Sequence, residues 1–286
     1  MEYIMRVACL GPNGSFSSLL TQRIFPDKEI LYMPTYQGCQ RLKTNDISHA
    51  VYPLENNTGG FVSDTLRSIY QTSKISIVSL ETLKIEQNLI GHAKNIEDIR
   101  EIHSHPQAIT QCQKRIEKLE KRIGRKIKLV KLGSTSEGVI SASTNPKVAG
   151  IGSMEAAYLY GIPIIKEKFQ DKSRNETRFA IFQVGSPKPR MLDYKTMFLI
   201  EVENIAGGLA QILNLIGSLS INVSSLVPHS IYRENGSWEY AFFLEVEGHV
   251  SSEPLKILHK ILSGKRLSCQ TRKGRWVGSY QHRGLL

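Results

Sequence analysis

The strongest constraint on this chain is an alternation. From Met1 to Val184, short apolar runs repeatedly empty into polar or glycine-bearing loops, and most of these loops open a stretch of helical spacing. Val7 to Leu10 lead into GPNGSFSS, Ile47 to Leu54 into ENNTGGF, and Lys128 to Leu132 into GSTSEGV. Strand, loop and helix in that order predict an α/β unit with a largely parallel sheet. Polar loops near Asn13, Asn56, Ser104, Ser134 and Thr177 fall at predicted strand ends. In such sheets ligands sit outside the carboxyl ends of strands.

The richest of these loops is DKSRNETRF, Asp171 to Phe179, which runs straight into an apolar strand. Arg178 can grip a carboxylate bidentately, and Thr177 is an uncharged donor beside it. Taken alone, the stretch reads more readily as a solvated turn with a first strand residue after it; the other motifs of the chain reverse that. In GPNGSFSS, Ser15 can cap a helix and form an anion site, but the spacing matches neither a dinucleotide fingerprint nor a P-loop. A helix after Pro106 carries the stripe Ala108, Ile109, Cys112, Ile116, Leu119 and Ile123, with lysines and arginines opposite. His103 and His105 stand near Cys112. No further ligand is in evidence, so a structural turn outweighs a metal site.

The net charge of +11 favours an anionic partner, either nucleic acid or an acidic small molecule. The basic helix face has no interleaved aromatic residue for base stacking, which favours the small molecule. No apolar run reaches the ~18–20 residues that span a bilayer. The start, MEYIMRVACL, reads as a first strand rather than a signal peptide. The four cysteines lack C-x-x-C spacing, which fits a reducing compartment. GSPKPRMLD, 185–193, reads as a linker, and after it the order of runs is βαββαβ, a ferredoxin-like sandwich.

These loops, in this order, resemble the prephenate dehydratase family. The resemblance is carried by LGPNGSFS, VYPLENNTGG, SHPQAITQC, STSEG, AGIGSMEAA with YGIPII, and QDKSRNETRF. The C-terminal unit resembles that family's ACT regulatory domain, ending in VGSY at Val277 to Tyr280. The resemblance implies an α/β chain with a two-lobed, periplasmic-binding-protein-like catalytic domain over 1–184, its lobes about 1–80 plus 165–184 and 85–160. It further implies a linker at 185–193, an ACT domain over 194–280 and a tail at 281–286. The implied reaction is the cofactor-free, metal-free conversion of prephenate to phenylpyruvate, water and CO2 in phenylalanine biosynthesis, in the cytoplasm. Implied partners are prephenate, an L-phenylalanine effector and a second or further copies of the chain, as homodimer or homotetramer. Neither nucleic acid nor membrane is expected.

By the same resemblance Thr177 is the catalytic residue. A threonine hydroxyl is a poor true acid, so we expect a positioned donor at the departing hydroxyl. Arg178 is expected to clamp a carboxylate. Asn56, Asn57, Ser104, Ser134, Thr135, Asn175 and Phe179 are expected substrate contacts, and Ala206, Gly207, Gly208 and Leu209 the effector turn. The chain departs from the family at Asn57, Gly59, Phe61 and Arg67, and reads Val227, Pro228, His229, Ser230 where the family has E-S-R-P. Weakened or altered phenylalanine inhibition is the expectation. Two other readings stay open: arogenate dehydratase, and a non-catalytic amino-acid or carboxylate sensor.

Overall fold

The computed structural model of the chain describes residues 6–185, 194–264 and 271–285. The expected linker lies outside them except for its first residue, Gly185. The first sheet begins with β1 (Val7–Cys9), β2 (Ile30–Tyr32), β3 (His49–Asn56), β4 (Gly60–Phe61) and β5 (Ile75–Lys84). Helices α1 (Phe16–Ile24), α2 (Thr35–Lys43) and α3 (Ser63–Gln71) connect them. The chain then crosses into a second sheet of β6 (Asn88–Ile90), β7 (Glu101–Ser104), β8 (Lys128–Lys131), β9 (Val148–Gly152) and β10 (Ile164–Lys166). This lobe carries α4 (Pro106–Gln111), α5 (Gln113–Ile123), α6 (Thr135–Ser141) and α7 (Met154–Leu159). The chain returns to the first sheet in β11 (Glu176–Val184), which lies between β5 and β3.

Both sheets are mixed, where a largely parallel sheet was expected. β11 runs antiparallel to β3 and β5, and β6 antiparallel to β9 and β10. The reason lies in the crossings: a strand reached from the other lobe has no βα crossover to align it with its neighbour. The lobe boundary also moves. β10, mostly assigned to the first lobe in advance, pairs with β6 in the second sheet.

The single helix expected from Ala108 to Ile123 is broken at Cys112. Its cause is distant in sequence. The Asp171 carboxylate accepts from Lys114 N and Arg115 N (2.9 and 3.0 Å) and so caps a new helix start. Two glycines explain the STSEG and AGIG stretches. A Cβ at Gly138 would stand 2.4 Å from His103 O, and one at Gly150 would stand 2.5 Å from Gly138 O. Their absence lets α6 lie directly on β7 and β9, which carries Ser134 and Thr135 to the strand ends. Gly138→Ala is therefore expected to cost about 1–3 kcal/mol by overpacking against backbone. Urea unfolding checks this; an unchanged midpoint would mean that α6 can ride up without loss.

The C-terminal unit is β12 (Lys195–Val202), α8 (Gly208–Ser218), β13 (Val223–Tyr232), β14 (Trp238–Glu247), α9 (Glu253–Ser263) and β15 (Thr271–Tyr280), in sheet order β13-β14-β12-β15. Its strand β12 is buried on both faces. Phe198 and Ile200 pack with Ile212, Ile216 and Leu258 of the helices, while Met197 and Leu199 join the core of the first lobe with Ile77 and Leu80. The expected tail does not stand free: β16 (His282–Leu285) pairs parallel to β5. Among the described residues no helix is long and apolar enough to cross a membrane.

Candidate active site

The loop after β3 builds the site from one side chain outward. Asn56 Oδ1 accepts from Thr58 N (2.9 Å), Thr58 Oγ1 (2.6 Å) and Gly59 N (3.0 Å). With its oxygen end occupied by three donors, the amide has one orientation, and Nδ2 must face the other way. There it donates to Thr177 Oγ1 and Asn175 Oδ1, both at 2.9 Å, and to Glu176 O at 3.1 Å. Thr177 and Asn56 are direct cross-strand partners of β11 and β3. The Thr177 hydroxyl thus accepts from Asn56 and keeps its own proton for another partner.

The network reaches the second lobe. Asn175 Nδ2 donates to Gln111 Oε1 (3.0 Å), Gln111 Nε2 to Thr58 Oγ1 (3.0 Å), and Gln87 Nε2 to Gln111 Oε1 (3.3 Å). Gln87 Oε1 is buried and has no hydrogen-bond partner among the described residues. Such an acceptor is costly unless a donor reaches it.

Between the lobes lies a cleft of about 300 Å³ lined by Asn56, Gln87, Gln111, Thr177 and Phe179. Three helix starts border it: Ser15 to Ser17 at α1, His105 to Gln107 at α4, and Gly133 to Thr135 at α6. First-turn backbone N–H groups lie outside the helical ladder, but Gln107 N is taken by His105 Nδ1 and Gly133 N by the Glu137 carboxylate, to which Ser134 Oγ also donates. No lysine or arginine lines the cleft among the described residues. Its titratable side chains are Asp64 and His105. Burial lowers the His105 pKa below its ordinary 6.5, so the ring is neutral at pH 7, and its Nδ1 accepts from Gln107 N (3.2 Å) to cap α4. His103 is engaged elsewhere, between Ser141 Oγ and Glu101 Oε2, both at 2.9 Å. A wider hollow of about 600 Å³ shares Gln107 and Gln111 with the cleft and opens past Asp171.

The expected contacts divide. Thr177, Asn56, Ser134, Thr135 and Phe179 line the cleft, and Asn175 stands behind them in the network. Ser134 accepts from Glu137 N (3.1 Å) and caps α6. Ser104 does not reach the cleft: its fully buried hydroxyl donates to Ile151 O (2.7 Å). Asn57 braces the β11 entrance by accepting from Glu176 N (3.0 Å). Arg178 is corrected most. Side chains alternate along a strand, so the neighbour of a cleft-facing Thr177 points to the opposite face. Arg178 pairs there with Glu55 and, at 3.6 Å, with Glu245 of β14. Burial pulls its pKa down, but Glu245 and Glu55 outweigh that and leave it above its ordinary value. It is no clamp for a ligand in the cleft.

Sequence reasoning missed Gln111, Gln107 and Gln87. Gln107 and Gln111 are one helical turn apart just after Pro106, a spacing that puts both on one face. Nothing local marked Gln87. In the C-terminal unit, Gly207 starts α8 at φ 80°, a conformation that favours glycine. His229, in the altered E-S-R-P stretch, lies 5.1 Å from the Tyr70 ring of α3.

The chain is thus of the two-lobed α/β class with an interlobe cleft and one oriented hydroxyl, here carrying a ferredoxin-like sandwich. The prephenate dehydratase family model matches residues 7–186, and the chain belongs to that family. It is accordingly a lyase of phenylalanine biosynthesis. The prephenate dehydratase of Lactococcus lactis subsp. cremoris is 27% identical over 261 residues, covering 88% of this chain and 90% of that protein. A bifunctional chorismate mutase/prephenate dehydratase of Stutzerimonas stutzeri is 28% identical over 91% of this chain and 70% of its own length. The crystal structure of prephenate dehydratase from Arthrobacter aurescens in complex with L-Phe superposes with a TM-score of 0.83 at 22% identity, over 96% of this chain and 89% of that one.

Proposed function

We propose that prephenate binds in the interlobe cleft and that Thr177 delivers the proton its departing hydroxyl needs. The observation that carries this is the Asn56 Nδ2 to Thr177 Oγ1 hydrogen bond, which leaves the threonine proton free to point into the cleft. The C–C bond to the ring carboxylate breaks and CO2 leaves. Its electron pair enters the ring, and the C–O bond to the hydroxyl breaks as that oxygen takes a proton and departs as water. The ring becomes aromatic, which supplies the driving force. Thr177 acts as a relay, its proton replaced from solvent, since its own acidity is too low to supply one outright. Gln87 Oε1 would accept from the substrate hydroxyl, fixing its lone pair toward Thr177. The two carboxylates are held by first-turn N–H donors at the starts of α1 and α6, by Thr135 and, once its proton leaves the Glu137 carboxylate, by Ser134, with no side-chain cation.

This reading takes residues 1–184 as the catalytic unit, its sheet edged by β16, and 194–280 as a regulatory unit, in a cytoplasmic homo-oligomer. The Ala206 to Leu209 turn would take L-phenylalanine. The test is ultraviolet absorbance of phenylpyruvate from purified protein, with prephenate and arogenate compared by kcat/KM, and with L-phenylalanine added. Turnover of prephenate carries the reading. Turnover of arogenate alone would replace it, and no turnover of either would leave a carboxylate sensor. Weak inhibition by phenylalanine fits Val227 to Ser230 in place of E-S-R-P.

A further inference from the structure

The face of β11 opposite Thr177 carries a charge cluster that joins the catalytic strands to the sandwich. Arg178 and Glu55 are cross-strand partners in β11 and β3, one step along from the Thr177–Asn56 pair. The two pairs stand back to back: a hydrogen bond toward the cleft and an ion pair away from it. The register of β11 against β3 slips between Arg178 and Phe179, a bulge at the place where one strand serves both faces. Beyond it, Glu245 of β14 is 2% exposed. Its carboxylate meets Arg178 at 3.6 Å and Lys195 Nζ at 3.0 Å, and accepts from Tyr280 Oη at 2.8 Å. Two carboxylates and two cations balance within the cluster.

The sandwich is also seated firmly on the first sheet. A Cβ at Gly278 would stand 2.2 Å from Ile77 O of β5, and Arg275 donates to the Ile69 and Thr72 carbonyls at the end of α3. Against that fixed seat, Glu245 holds the guanidinium of the residue next to Thr177. We infer that Glu245 is a positioning residue for the reaction. Through Arg178 it sets where β11 presents the Thr177 hydroxyl, and by this contact the state of the sandwich is read in the cleft. The inference rests on the assignment of Thr177 as proton donor. Buried pairs of this kind add little net stability but are expensive to break on one side, so a shift of the sandwich must move Arg178 with it or lose the pair.

The test uses the full chain with Glu245→Gln, the milder Tyr280→Phe, and Glu253→Gln as a control. Glu253 is an exposed charge on α9, paired among the described residues with Lys256. Two readouts are taken: kcat and KM with prephenate, and the 13C-methyl resonance of Thr177 in threonine-labelled protein, assigned by its loss in Thr177→Ser. A small displacement of a reacting group costs rate rather than binding, so Glu245→Gln is expected to lower kcat about 10-fold with KM within about twofold. Tyr280→Phe should fall in the same direction by less. Both should move the Thr177 resonance, and Glu253→Gln should move neither kcat nor the resonance. In an Arg178→Lys background Glu245→Gln should cost less than it does alone. A folded variant with unchanged kcat, or an unmoved Thr177 resonance, overturns the inference. If Glu245→Gln does not fold, Tyr280→Phe decides. If the wild type fails to turn over prephenate, the reaction assignment falls, while the Thr177 resonance still decides the coupling.

Discussion

Thr177→Ala is expected to lower kcat by about 10²–10³, equivalent to roughly 3–4 kcal/mol, while the fold and KM change little. The size follows from the loss of one donor at the place where charge develops. As the C–O bond breaks, the departing oxygen gains negative charge that only a proton or a strong donor can absorb. Thr177 is 8% exposed and lines the cleft, with its proton uncommitted among the described residues. Its ground-state contribution is smaller, because a neutral hydroxyl binds a neutral alcohol weakly; hence the effect falls on kcat. Removing the hydroxyl takes away one of three acceptors around Asn56 Nδ2, and its two hydrogens keep Asn175 Oδ1 and Glu176 O. Stability should therefore drop by no more than about 1–2 kcal/mol. Thr177→Ser keeps the hydroxyl and should retain most turnover. Steady-state kinetics on prephenate checks this, and an alanine variant within about threefold of wild type would remove Thr177 from the reaction.

Much of this site was legible as residue types at strand ends. ENNTGG and NETRF could be set against each other because both end or begin apolar runs, and β3 and β11 do pair there. What local sequence could not supply was which polar groups serve the cleft and which serve the backbone. Ser104 has the chemistry of a ligand contact, yet its hydroxyl is used by a carbonyl of β9. The break at Cys112 depends on Asp171, far along the chain, so periodicity alone joined two helices. Arg178 is different, because the information was present. Two adjacent residues on a strand cannot both face one cleft, and choosing Thr177 excluded Arg178. The burial of β12 on both faces was also visible in its MFLI run, where apolar residues do not alternate.

Asn56→Asp should be at least as damaging as the loss of Thr177, with kcat/KM down about 10³ at neutral pH, through two separate effects. The first concerns the threonine proton. Asn56 Oδ1 is held by Thr58 and Gly59, so the new oxygen must replace Nδ2 and face Thr177 Oγ1, Asn175 Oδ1 and Glu176 O. An ionised carboxylate there draws the Thr177 proton to itself, and the donor is turned away from substrate. The second concerns charge. A dianionic substrate would enter a cleft with an added anion and, among the described residues, no lining lysine or arginine, at a cost of several kcal/mol. Asn56→Ala loses the donor without adding charge and should be less impaired. The pH dependence separates the two effects from simple misfolding. Burial and the carbonyl oxygens of Asn175 and Glu176 favour the neutral acid, while the donors held by the other oxygen favour the charged form. We expect burial to prevail and to raise the pKa of the introduced carboxyl above the ordinary ~3.9. As pH falls through that raised value the carboxyl takes a proton, the repulsion disappears, and an O–H can replace one of the lost N–H donors. The ratio of variant to wild-type kcat/KM should therefore rise toward acid pH, measured from about pH 8 to pH 5 on chains shown to be folded at both ends. A variant within about tenfold of wild type at neutral pH would show that Asn56 does not orient Thr177, and a ratio flat with pH would show that charge is not what disables the cleft.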